Sequence, residues 1–225
     1  MMIIFKKGVI LTVLFLLGCF SLFGQNRNIP SEKPKMVIGI VVSGMRYDYL
    51  NRFWDKFGDE GFKRLISKGT YCRNVHHDYL VPERSSGIAT ISTGAYPDVH
   101  GIISDYWYER LKEDIVFSIF DNDVNTVGGK YGTGNYSPAN LLSMTLSDQL
   151  LISNKLKSKV ISISLDPRTA VISGGHAANG SYWYDDFTGN WITSSFYTDS
   201  LPAWVDTFNL KRLPDIYLEK EWNTL

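Results

Sequence analysis

The chain is short of sulfur, of histidine and of net charge, and each shortage closes off a class of protein. It has two cysteines in 225 residues, Cys19 and Cys72, so a disulfide framework cannot hold the fold and an apolar core must. The four histidines, His76, His77, His100 and His176, lack the close spacing with carboxylates that marks a local zinc motif. Lys plus Arg number 23 and Asp plus Glu also 23, a balance that gives no electrostatic case for nucleic acid or for an anionic membrane surface. No apolar run reaches the roughly 20 residues that cross a bilayer. Internal repeats and low-complexity tracts are missing as well.

What is present reads as a folded, exported chain. Hydrophobic residues at 44% and charged residues at 20% are ordinary for a globular domain. Lys6 and Lys7 precede the apolar run Val9 to Phe20, and the polar stretch Gln25 to Asn28 follows, the charge, apolar centre and polar exit of a secretory signal over residues 1–25. Within it Leu16-Leu17-Gly18-Cys19 is similar to a bacterial lipobox, in which Cys19 would carry the lipid; ordinary cleavage near Gly24 is the alternative. The expected location is the periplasm, or the outer membrane as a lipoprotein, with membrane attachment only through Cys19. Residues 26–35, with Pro30 and Pro34, form a tether. Cys72 is expected as a small buried residue.

The body alternates strands and helices. Met36 to Ser43 is almost wholly apolar and β-branched, the pattern of a strand buried on both faces, and Gly44 breaks it. Helical spacing follows through Tyr47, Leu50, Phe53 and Phe57 and again through Phe62, Leu65 and Ile66 up to Gly69. A second strand is expected across Tyr71 to Tyr79, and turn residues from Pro82 lead into a helix that stops near Gly94. Ser137-Pro138 reads as N-cap and first residue of a helix running to Asn154. Lys159 to Leu165 is a further strand, Tyr182 to Thr193 a hairpin turning at Asp185 to Gly189, and Pro202 to Asn209 a short helix. The aromatic run Tyr182-Trp183-Tyr184 suits a core strand face better than a stacking platform. Ligands of such folds sit at the carboxyl ends of strands, which directs attention to the loops after Val42, Tyr79 and Leu165.

Those loops resemble the alkaline phosphatase and nucleotide pyrophosphatase/phosphodiesterase superfamily. The likeness is carried in order by Val37 to Tyr49, Gly61-Phe62-Lys63-Arg64-Leu65, Thr93-Gly94, Pro97, His100-Gly101-Ile102, Trp107-Tyr108, Ser158-Lys159-Val160 and Gly175 to Asn179 with Tyr182-Trp183-Tyr184. It implies an alkaline-phosphatase-like three-layer α/β/α fold with a mostly parallel sheet, of which residues 36–225 are the N-terminal part. It also implies two zinc ions, a Ser or Thr nucleophile at a helix start and a phosphate-ester ligand. The site positions depart from that pattern. Ser43 stands where a metal-binding Asp is expected, and a neutral hydroxyl is a poor zinc ligand. Counting back from Thr93 puts Arg84 at the nucleophile position; a shift of one residue puts Ser85 there, with Ser86 beside it. Asp105 replaces a phosphate-contacting Asn and Asp166 a Lys, both adding repulsion toward a phosphate dianion. Arg168 matches a phosphate-contacting Arg, and an ion pair with Asp166 is its alternative role.

Three readings stay open at this stage. One is a catalytically degenerate or truncated relative without a cofactor. Another is a metal-dependent periplasmic phosphomonoesterase or phosphodiesterase with Ser85 as nucleophile and Arg168 on the phosphate. The last is a lipid-anchored envelope interaction module. His100 and His176 fit hydrogen-bonded framework roles, while His76 and His77, adjacent in an expected strand, would point to opposite faces.

Overall fold

The structure, a computed structural model, describes residues 35–80 and 83–221. The expected signal segment with Cys19, nearly all of the expected tether, Val81, Pro82 and the last four residues lie outside the described residues. Two compact units make up the chain, one ending at Arg73 and the other starting at Asn74.

In the first unit the helical spacing yields two short helices, α1 (Asp48–Arg52) and α2 (Phe62–Lys68), with a 3-10 turn at Trp54–Lys56 between them. The expected opening strand is a correction. Met36 to Val42 forms no ladder among the described residues, and its apolar side chains stay exposed, Met36 at 75% and Ile40 at 80%. A run that is apolar on both faces needs a neighbour on each side to become a strand, and among the described residues it pairs with none. The turn after it is as expected, with Gly44 at φ +72°. The strand foreseen across Tyr71 to Tyr79 is likewise absent, so Cys72 is exposed rather than buried, and His76 and His77 sit on exposed irregular chain.

The second unit holds the core. Helix α3 (Arg84–Thr93) stops at Gly94 in the left-handed region, φ +69°, as the sequence predicts, and α4 (Pro97–His100) follows. A hairpin that the sequence reading did not foresee pairs β1 (Tyr106–Glu109) with β2 (Asp114–Phe117). The main sheet has the order β3 (Thr126–Val127), β6 (Asn190–Ser194), β5 (Gly180–Asp185) and β4 (Ile161–Ser164). Strands β5 and β6 are the predicted hairpin. Only β4 and β5 run parallel, with Ile161 opposite Gly180, so the described sheet is mixed. Their crossover is α6 (Pro167–Gly174), the βαβ arrangement that short apolar strands and an intervening helix require. The helix expected from Ser137 begins instead at Leu146, as α5 (Leu146–Ser153). Ser137 turns its hydroxyl to Asp121 at 2.5 Å, whereas Thr145 and Asp148 form a reciprocal capping box that starts the helix there. The last elements are α7 (Ala203–Asn209), as read from the sequence, and α8 (Leu213–Leu218).

Helix α6 presses Ala170, Val171 and Ile172 against Ile88 and Ala89 of α3 and against Trp183 and Ile192 of the sheet. Ser85, Ser86 and Ala89 are fully buried on α3. Their small side chains let the two helices approach, which brings both helix starts together at one end of the core.

His100 closes α4 and is fully buried. Its Nδ1 accepts from the Ile102 N–H at 3.1 Å, so Nε2 carries the proton toward the Thr90 hydroxyl at 3.2 Å. Burial holds this imidazole below its ordinary value and keeps it neutral. The unfolded chain gains a proton at His100 below about pH 6.5 and the folded chain does not, so stability falls as pH drops through that value. Urea titrations between about pH 7.5 and 5 should show this decline, and His100→Gln should flatten it. An unchanged slope in the variant would remove His100 as its source.

Candidate functional site

Five charged residues meet where α3 and α6 begin. Arg84 is the first residue of α3 and Glu83 its N-cap; Asp166 is the N-cap of α6, two residues before Arg168. Asp105 enters from the loop before β1. The Arg168 guanidinium donates Nη1 to Asp105 Oδ2 at 2.6 Å, Nη2 to Asp166 Oδ2 at 2.7 Å and Nε to Asp166 Oδ1 at 3.1 Å. Arg84 Nη1 also donates to Asp166. The result is a chain of alternating charge, Arg84, Asp166, Arg168, Asp105. Asp166 further accepts the N–H groups of Arg168 and Thr169, which caps α6. Burial on its own would raise the Asp166 carboxyl, but the hydrogen bonds and charges of Arg168 and then Arg84 outweigh it and hold the group below the usual carboxylate range. The Arg168 guanidinium is raised in turn, first by its hydrogen bond to Asp166.

Ser85 lies at the other end of the chain. Its N–H and its hydroxyl both donate to Asp105 Oδ1, at 2.9 and 2.6 Å, and its Oγ accepts from the Ser118 hydroxyl at 2.9 Å. The side chain is fully buried. Ser86 faces the helix cap, where its Oγ accepts the Glu83 N–H at 3.1 Å. Glu83 in turn accepts the Asp105 N–H at 3.0 Å and the Ser104 hydroxyl at 2.5 Å, and these two bonds hold its carboxyl below the usual range.

The structure thus brings together Arg84, Ser85, Asp105, Asp166 and Arg168 of the residues singled out in the sequence. Ser43 sits at a turn in the unit ending at Arg73. His76 and His77 contribute nothing to the cluster. His176 faces Asp148, with Nδ1 at 3.5 Å from Oδ2, while Asp148 accepts the N–H groups of Thr145 and Ala177 and serves the framework. Sequence reasoning missed Glu83 and Ser118. Glu83 is an unusual N-cap choice with no motif to flag it, and Ser118 acts through a contact between residues 33 apart in the chain.

The donor set does not suit the zinc ions that the resemblance implies. Two guanidinium groups stand beside the carboxylates, the Arg168 pair uses both oxygens of Asp166, and Ser85 Oγ is engaged on both sides. Among the described residues no three His, Cys, Asp or Glu side chains converge as a cation would require.

Comparison with known proteins agrees with the fold. The chain is 44% identical over 193 residues to the alkaline phosphatase PhoV of Synechococcus elongatus, covering 86% of this chain and 35% of that protein. It is 39% identical over 206 residues to the alkaline phosphatase PafA of Elizabethkingia meningoseptica, covering 91% of this chain and 38% of that one. The crystal structure of wild-type PafA superposes with a TM-score of 0.83 at 41% identity, over 86% of this chain and 38% of that chain. The chain therefore spans a little over a third of the length of these relatives, and over that span its fold is alkaline-phosphatase-like. Residues 37–224 match the profile of the type I phosphodiesterase / nucleotide pyrophosphatase family, and the chain belongs to that family.

Proposed function

We propose that this chain is an exported, catalytically degenerate member of its family, in which the phosphate-ester site has become a structural ion-pair cluster. The observation that carries the reading is the engagement of Arg168. Its guanidinium makes three hydrogen bonds to two carboxylates of the same chain, so three of its five N–H donors are taken and its charge is matched from within before a phosphoryl group arrives. Arg84 at the helix start supports the same conclusion, since a guanidinium cannot act as an oxygen nucleophile.

A second reading keeps Ser85 as nucleophile. Its hydroxyl donates to Asp105 at 2.6 Å, the geometry of a nucleophile and its base. Full burial of Ser85 argues against it, because an attacking oxygen must reach the phosphorus in line with the leaving group. Hydrolysis of p-nitrophenyl phosphate, with and without added zinc, separates the two. Wild type and Ser85→Ala are both expected at the background rate. Turnover in the wild type that Ser85→Ala abolishes would overturn the degenerate reading.

Export is supported by the charged, apolar and polar succession of residues 1–25. If Cys19 carries a lipid, Cys19→Ser should move the protein from the membrane fraction to the soluble one, and unchanged fractionation would remove the anchor.

A further inference from the structure

We propose that the Asp105 carboxylate is a built-in stand-in for an oxyanion, an autoinhibitory contact that occupies a set of anion-binding donors and closes it to external anions. The inference rests on the degenerate reading and deepens it, because it names what occupies the site and what would enter if that occupant were removed.

Three donors from two separate helices converge on this one carboxylate. The Ser85 N–H at the start of the ten-residue α3 and the Ser85 hydroxyl reach Oδ1 at 2.9 and 2.6 Å, and Arg168 Nη1 reaches Oδ2 at 2.6 Å. A helix-start N–H, a hydroxyl and a guanidinium form a donor set suited to a phosphate or sulfate, and here they surround an anion of the chain itself. The side chain is not sealed in: Asp105 keeps 23% of its surface and Arg168 31%, so a small anion in solvent could reach the place if it were vacant. Two effects keep it shut. The tethered carboxylate competes as an intramolecular partner at high effective concentration. Asp105 and Asp166 would also repel a dianion that approached the same donors.

Charge counting gives the consequence of removal. Arg84 and Arg168 contribute +2 and Asp105 and Asp166 −2, a neutral cluster; without Asp105 it becomes +1. Glu83 remains as a negative neighbour bonded to the Asp105 N–H and Ser104, which limits the gain. Asp105→Ala also orphans the Ser85 N–H and Arg168 Nη1 and leaves the Ser85 hydroxyl with Ser118 alone, and orphaned donors of this kind are costly to leave unmatched.

The test uses the whole chain and inorganic phosphate as probe, in calorimetric titration and in thermal unfolding, against chloride at matched ionic strength. Asp105→Ala should bind phosphate with a Kd of roughly 1 mM or tighter, at least about tenfold tighter than wild type, and its midpoint should climb with phosphate as mass action requires. The Asp105→Ala/Arg168→Gln double variant should lose that binding. A folded Asp105→Ala that binds phosphate no better than wild type overturns the proposal, as does binding that survives in the double variant. If Asp105→Ala is unfolded in chloride, recovery of its far-ultraviolet circular dichroism on adding phosphate supports the proposal, and no recovery overturns it. Phosphatase turnover by the wild type would instead defeat the degenerate reading, so the two failures are told apart.

Discussion

Trp183→Ala should lower the free energy of unfolding by about 3–5 kcal/mol, the largest single loss expected in the chain. Trp183 is 1% exposed at the centre of β5, the strand that pairs parallel with β4 on one side and antiparallel with β6 on the other. It packs in the same cluster as Val171 and Ile172 of α6, and its ring lies 5.7 Å from that of Tyr136. Truncation removes the transfer free energy of an indole and leaves a cavity that two flanking strands and a helix cannot readily collapse. The indole Nε1 is buried without a hydrogen-bond partner among the described residues. Trp183→Phe discards that orphaned donor along with some volume, so it should cost much less than Ala, about 1–2 kcal/mol. Urea unfolding of both variants checks the pair. Equal losses would mean that the ring's apolar bulk is not what holds the sheet to α6.

The contrast between Trp183 and Met36 to Val42 shows how far the sequence could be read. Met36 to Val42 reads as a strand from its apolar, β-branched pattern, and Trp183 as part of a hairpin turning at Asp185 to Gly189. At β4 and β5 the expected strands form because each finds a partner, β5 beside β4 and β6 beside β5, so that local preference and tertiary pairing agree; the helix α6 between them was not foreseen. At Met36 to Val42 the pattern records only what the segment could pair with. A ladder depends on a neighbour that periodicity in one segment cannot supply, and in its absence the side chains remain exposed. The Ser-Pro signal at Ser137 yields a single turn, with Ser137 Oγ accepting the Ala139 N–H and the Leu141 N–H reaching the Pro138 carbonyl, while the helix itself starts at the Thr145–Asp148 capping box. At the site, counting residues along the resemblance identified Arg84, Asp105, Asp166 and Arg168 and even the Asp166–Arg168 pair. It could not show that Asp105 folds back onto Ser85 and Arg168, because that contact joins residues 20 and 63 apart. Composition likewise gave no hint that two carboxylates would neutralise the cluster from within.

Asp166→Ala is expected to cost about 2–4 kcal/mol, from a lost helix cap and from a guanidinium left partly unpaired. Asp166 accepts two N–H groups at the start of α6 and joins Arg84 to Arg168, while only 20% of its side chain meets solvent. Because the folded carboxyl lies below its ordinary value, its stabilisation is complete above about pH 4 and is lost as pH falls through the folded value. The gap in unfolding free energy between wild type and Asp166→Ala should therefore be constant near neutrality and narrow in acid. Asp166→Asn can still accept the helix N–H groups, so it should fall between the two at neutral pH and separate the cap from the charge. Arg84→Ala should cost about 1 kcal/mol or less, since 47% of the Arg84 side chain is exposed and its pair is screened. A neutral-pH loss below about 0.5 kcal/mol for Asp166→Ala would mean that the cluster is not a structural substitute for a ligand site. A loss of the expected size ties the two sides of the argument together. The residue that takes two of the Arg168 hydrogen bonds is then one that the fold depends on, so freeing those donors by changing Asp166 would work directly against the stability of α6.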